Sequence, residues 1–90
     1  ELGRVFTWLC ERVADDLARK GYAGRTIGVK LRFDDFATVT RDHTIDAPTQ
    51  DAKAIRRAAG ECLKRVALER RIRLLGVRVG NLAPVRAPGG

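Results

Sequence analysis

The chain has no serine and no methionine, one histidine (His43), two cysteines (Cys10 and Cys62), and nowhere in its 90 residues an apolar run long enough to span a bilayer. Each shortage removes a class of function. Without serine there is no Ser-His nucleophile pair, and His43 has no cysteine close in sequence to activate instead. A zinc site needs more ligands at short spacing than these three residues supply. Cys10 and Cys62 each fall at an apolar position of an expected helix, where a thiol behaves as a small hydrophobe. Both are read as core, with a disulfide between the two helices left open. No basic segment leads into an uninterrupted apolar one at the N-terminus, and neither a Gly-rich phosphate loop nor a dinucleotide fingerprint occurs. The expectation is a soluble, cytoplasmic protein without an active site, metal or cofactor of its own.

What the chain has in plenty is positive charge. Its formal net charge is +7, and arginine supplies 14 of the 18 basic residues, which suits bidentate contact with phosphate better than lysine would. A polyanionic partner is expected. Charge alone does not separate DNA, RNA and an anionic membrane, but no helix combines a one-sided basic face with a bulky apolar one, so a membrane surface is set aside. Ninety residues, 44% of them hydrophobic, support one core and hence one domain.

Along the chain, Leu2, Val5, Phe6, Leu9, Val13 and Leu17 recur at helical spacing, and Gly21 ends that helix. Gly21 to Gly24 reads as a loop. From Thr26 to Phe33 the pattern alternates, with Ile27, Val29, Leu31 and Phe33 on one side and Thr26, Gly28, Lys30 and Arg32 on the other. Phe36 to Ile45 is a second extended segment, broken at Asp46 to Pro48. Thr49 reads as the N-cap of a helix over Gln50 to Glu69, in which Gly60 costs about 1 kcal/mol against alanine unless close packing needs the missing side chain. Arg73 to Leu82 is a third strand, with Leu75, Val77 and Val79 on its apolar side, and residues 83–90 read as a flexible Pro/Gly-rich tail behind a domain of residues 1–82. The order is helix, strand, strand, helix, strand: an α+β two-layer sandwich, two helices on one face of a mostly antiparallel sheet. The uncovered face is expected to gather Thr26, Lys30, Arg32, Thr38, Thr40 and Arg78, with Arg41 and Arg73 near strand ends. Gly28, Gly76 and Gly80 on the same face would let a ligand backbone come close.

The pair Asp34-Asp35 poses a sharper question. Two-metal phosphoryl transfer needs carboxylates that converge on ions about 3.5 to 4 Å apart, whereas neighbours in a strand point to opposite faces. A turn, where an aspartate bonds nearby backbone, is the better reading.

The segments VKLRFDDFATVTRDHTI, APTQDAKAI and RLLGVRVGNL, preceded by LCERVADDLARKGYAGRTI, together resemble the C-terminal little finger domain of the Y-family translesion DNA polymerases, nearest to the bacterial DNA polymerase IV (DinB-type) branch. The resemblance runs from Leu9 to Leu82. It implies a DNA-gripping domain that holds primer-template duplex by the backbone and catalyses nothing. The catalytic palm, with its carboxylates and magnesium, belongs to the parent polymerase. By resemblance the backbone-contacting positions are Thr38, Thr40, Arg41, Asp42, His43, Arg73 and Arg78, beside Lys30 and Arg32 from the alternation. Position 43 is commonly arginine in the family, so His43 implies a weaker, pH-dependent contact, and Gly80 stands where relatives often carry serine. The family also implies a sliding-clamp partner, although no glutamine-led apolar clamp peptide is visible in APVRAPGG. Finally, the family order is βαββαβ and this chain starts at the helix. With a split-βαβ sheet the first strand would be interior, which implies an anomaly there, such as a strand-swapped dimer. An RNA-binding α+β module and a protein-interaction domain with an acidic partner are the alternatives. The former is disfavoured because Phe36 is the one aromatic in a strand that is free of the apolar side.

Overall fold

The computed structural model describes residues 2–66 and 71–85. Helix α1 spans Leu2–Lys20, strands β1 and β2 span Tyr22–Phe33 and Thr38–Thr49, helix α2 spans Ala52–Lys64, and strand β3 spans Ile72–Pro84. The arrangement is the expected two-layer α+β sandwich. No described helix is long and apolar enough to cross a membrane.

β1 organises the rest. Its alternating apolar residues Ile27, Val29, Leu31 and Phe33 are all 0–2% exposed, and burial of each such side chain is worth about 1.5–3 kcal/mol. From α1 the core receives Phe6, Cys10, Ala14 and Leu17, and from α2 it receives Ile55, Ala58, Ala59 and Cys62. The α1 stripe is thus turned slightly from the expected one, since Val5 is exposed and Ala14 faces inward, while Cys10 is in the core as expected. Gly21 ends the helix with φ +75, a left-handed conformation that glycine adopts at least cost. Arg56 joins the helices, donating from Nε to Thr7 Oγ1 at 2.9 Å while its guanidinium lies over the Phe6 ring.

The three strands pair antiparallel in the order β2-β1-β3, with β1 in the centre. This corrects the expected interior vacancy: β3 bonds β1 directly, so among the described residues the sheet has no gap between its strands. Several boundaries also move. β1 begins at Tyr22 rather than Thr26, because Tyr22 and Ala23 pair with Pro84 and Ala83 and the Val85 N–H donates to the Gly21 carbonyl. The first residues of the expected tail are therefore sheet, while residues 86–90 lie outside the described ones. β2 continues through Pro48 to Thr49, which is tolerated because β2 is an edge strand with a register shift opposite Gly24 to Thr26. α2 starts at Ala52 with Asp51 in the N-cap position, and the Thr49 hydroxyl accepts from the Asp51 N–H. It ends at Lys64, and residues 67–69 of the expected helix lie outside the described ones.

Both cysteines are free and buried, so the disulfide left open is absent. Burial pushes both thiols up, against the nearby charge of Arg56 for Cys10 and of Arg65 for Cys62. A thiol whose folded pKa is raised favours folding below its unfolded value and loses that contribution as pH rises. Alkylation of the native protein at neutral pH should therefore be slow at both sites and fast in denaturant, and stability should fall above about pH 8.5. Rapid native labelling of either cysteine would contradict this. At Gly60 an added Cβ would meet open space, so close packing is not what keeps glycine there. Gly60→Ala should raise unfolding stability by about 1 kcal/mol in a denaturant titration.

Candidate nucleic-acid interface

Residues paired across a sheet share a face, so the register fixes which side chains stand on the side away from the helices. Four rows cross that face. Thr44, Thr26 and Gly80 form the first, Asp42, Gly28 and Arg78 the second, Thr40, Lys30 and Gly76 the third, and Thr38, Arg32 and Leu74 the fourth. The expected set Thr26, Lys30, Arg32, Thr38, Thr40 and Arg78 is thus brought together.

Hydrogen bonds knit the rows. Thr26 and Thr44 hydroxyls meet at 3.1 Å, the Asn81 amide donates to Thr26 Oγ1 at 2.6 Å, and Arg32 Nε donates to Thr38 Oγ1 at 3.4 Å. In the second row Arg78 Nη2 reaches both Asp42 carboxylate oxygens at 3.4 Å, crossing above the central strand. A Cβ on Gly28 would overlap Asp42 Oδ1 and stand 3.2 Å from Arg78 Nε. The missing side chain at 28 therefore makes room for an ion pair within the protein, which corrects its expected role as a landing place for a ligand. The pair was not foreseen, although Asp42 and Arg78 were each singled out; its signal is an acid and a base placed opposite one glycine, which needs the register to be read. At Gly76 a Cβ would meet nothing, and at Gly80 only Thr26 at 4.0 Å, so those two positions keep the face low.

Two expected contacts lie elsewhere. Arg41 and His43 pair with Val29 and Ile27 and so stand on the helix side of β2. Arg41 is not near a strand end; it is exposed and donates to the Thr40 carbonyl at 2.7 Å. His43 is half-buried near α2. Its charge helps hold the Glu61 carboxyl below the usual range, after the larger effect of the Lys64 hydrogen bond. The pleat explains the split, because a run such as Thr40-Arg41-Asp42-His43 cannot present all its side chains to one ligand.

Arg73 sits at the end of the sheet. The register shifts between Arg32 and Phe33, which pair with Leu74 and Ile72, leaving Arg73 as the extra residue of a bulge. Its guanidinium lies 5.1 Å from the Phe36 ring. Asp34-Asp35 form the turn expected of them: the Ala37 N–H donates to Asp35 Oδ1 at 3.1 Å and the Phe36 N–H to the Phe33 carbonyl at 2.9 Å. Among the described residues no three of His, Cys, Asp and Glu converge as a metal site.

Residues 1–89 match the impB/mucB/samB family C-terminal domain. The chain belongs to this family. Among relatives, a protein named DNA polymerase IV from Streptomyces coelicolor is 42% identical over 83 residues, covering 92% of this chain and 16% of the relative. DNA polymerase IV of Streptococcus suis is 40% identical over 74 residues, 81% of this chain and 21% of the relative. DNA polymerase IV 1 of Mesorhizobium japonicum is 37% identical over 83 residues, 92% and 19% respectively. The little finger domain of the Y-family translesion polymerases, read from the sequence, is thus the family found. The chain spans about a fifth of the length of these curated relatives.

The Asp42-Gly28-Arg78 row yields a double-mutant test. Gly28→Ala should destabilise the wild-type domain, because the carboxylate must leave Arg78, while in an Asp42→Ala background the same change should be neutral or stabilising. The non-additivity should be on the order of 0.5–1 kcal/mol. Additive effects in chemical denaturation would refute the crossing geometry.

Proposed function

We propose that this domain grips duplex DNA by its phosphate backbone and does no chemistry itself, as part of a DNA polymerase IV engaged in translesion synthesis. Nucleotidyl transfer, with its magnesium, is then the work of a palm outside this sequence, and the setting is the cytoplasm. The observation that supports the reading best is the open face: Lys30, Arg32 and Arg78 stand among threonine hydroxyls on a sheet surface away from the helices. Cations and hydroxyls of this kind donate to phosphate oxygens and carry no sequence information. Lys30 and Arg32 are about 6.6 Å apart along β1, close to two base-pair rises of about 3.4 Å. The face is flat where glycine replaces a side chain and carries no aromatic at its centre. It therefore suits a duplex backbone better than splayed RNA bases.

On this reading Asp42 subtracts from the face's charge, and Arg78 must turn from carboxylate to phosphate when DNA arrives. Arg41 and His43 would touch DNA only around the rim of β2. A sliding-clamp contact belongs to the parent polymerase and would use surfaces other than the open face.

Fluorescence anisotropy with a labelled duplex across a salt series tests this. Wild-type affinity should be about 10⁻⁴ to 10⁻⁶ M, with a log-log salt slope near −2.7 for about three phosphates at −0.9 each. Lys30→Ala/Arg32→Ala should weaken binding and make the slope shallower by about 2, whereas Arg41→Ala should leave the slope nearly unchanged. No binding at low salt, or a preference above about tenfold for one duplex sequence, would overturn the reading.

A further inference from the structure

We propose that Phe36, backed by Arg73, is a stacking platform for an unpaired base, so that the domain favours a junction between duplex and single strand over uniform duplex. This rests on the duplex reading of the neighbouring face.

Phe36 is the most exposed large apolar residue described, at 66%, and is absent from the core. It lies in the turn between β1 and β2 at φ +68, a conformation that glycine or asparagine occupies easily and a bulky side chain does not. The turn holds it there by several bonds. The Phe36 N–H donates to the Phe33 carbonyl, the Phe33 N–H to the Ala37 carbonyl at 3.0 Å, and the Asp34 N–H to the Arg71 carbonyl at 2.9 Å. An aromatic ring is thus fixed in water, on strained backbone, with no packing role in the core to explain it.

Two neighbours indicate what such a ring would take. The Arg73 guanidinium lies over it at 5.1 Å from the centroid, placed there by the β3 bulge. A cation on an aromatic ring favours a π-faced, electron-rich ligand and draws a phosphate to the same spot. The last row of the open face, Thr38, Arg32 and Leu74, borders this turn, with Leu74 48% exposed. A duplex lying on Lys30, Arg32 and Arg78 and following β1 past this last row would bring its next nucleotides beside Phe36, which on this proposal is where the strands part. An unpaired base offers a flat π-face to the ring, which a base inside the duplex stack does not.

The test uses two labelled probes, a blunt duplex and the same duplex with a short single-stranded overhang, titrated with wild-type protein, Phe36→Gly and Phe36→Trp. Wild type should bind the overhang probe about tenfold more tightly than the blunt one, as expected for one stacked base. Phe36→Trp should keep that preference. Phe36→Gly should lose it with blunt-duplex affinity unchanged, and should melt no lower than wild type because glycine relieves the left-handed backbone. Equal binding of both probes by wild type, or a preference surviving in Phe36→Gly, would overturn the platform while leaving the duplex reading intact. A marked loss of melting temperature in Phe36→Gly would overturn it too, since the ring would then be structural. If neither probe bound wild type at low salt, both readings would fail together.

Discussion

The pleat of β1 is the constraint on which the other features depend. Once Ile27, Val29, Leu31 and Phe33 are committed to the core, Thr26, Gly28, Lys30 and Arg32 have no choice but the opposite side. Because β1 is central, it passes this alternation to both neighbours through the ladder. Asp42 and Arg78, Thr40 and Gly76, Thr38 and Leu74 are aligned in rows by their pairing with β1. A slip of one residue in either ladder would turn a whole row into the core, so the apolar side enforces the register that assembles the polar side.

That coupling leaves a basic surface with one internal counterweight. The Asp42 carboxylate lies over the central strand and occupies Arg78 at a separation typical of a loose, solvent-exposed pair. Such a contact adds little to stability. It does hold the arginine near the middle of the face, where it would otherwise sweep through solvent. The same row thus contains an attraction for polyanions and a local competitor for it, arranged around a residue with no side chain.

Much of this was legible in sequence, and the parts that were not share a cause. The alternation Thr26 to Phe33 gave the two faces of β1, and the helical periodicity gave both helices, because these are local patterns. The membership of Arg41 and His43 on the helix side was also implicit in the alternation of β2. It was obscured by treating Thr38 to His43 as one contacting run. Long-range facts were out of reach. Nothing within residues 22–25 says that Ala23 pairs with Ala83, so local pattern alone reads this strand as a loop. Nothing near Asp46 says that β2 is an edge strand, where Pro48 needs no partner for the N–H it lacks. The Gly28 pocket needs two registers at once, and the bulge at Arg73 appears only against β1.

The two ladders of β1 also differ in how much chain must exist before they can close. Its pairing with β2 joins residues on either side of a tight turn, Arg32 with Thr38 first and the rest in sequence, so that hairpin costs little loop entropy. Its pairing with β3 reaches from Tyr22 to Pro84, across β2 and α2 and about two thirds of the chain. On a growing chain the hairpin could zip while β3 was still unmade, leaving one edge of β1 unpaired until residue 84 emerged. The order of synthesis therefore works with the register: the strand that sets the pattern is made first among the three, and the strand carrying Arg78 is matched to a template that already exists.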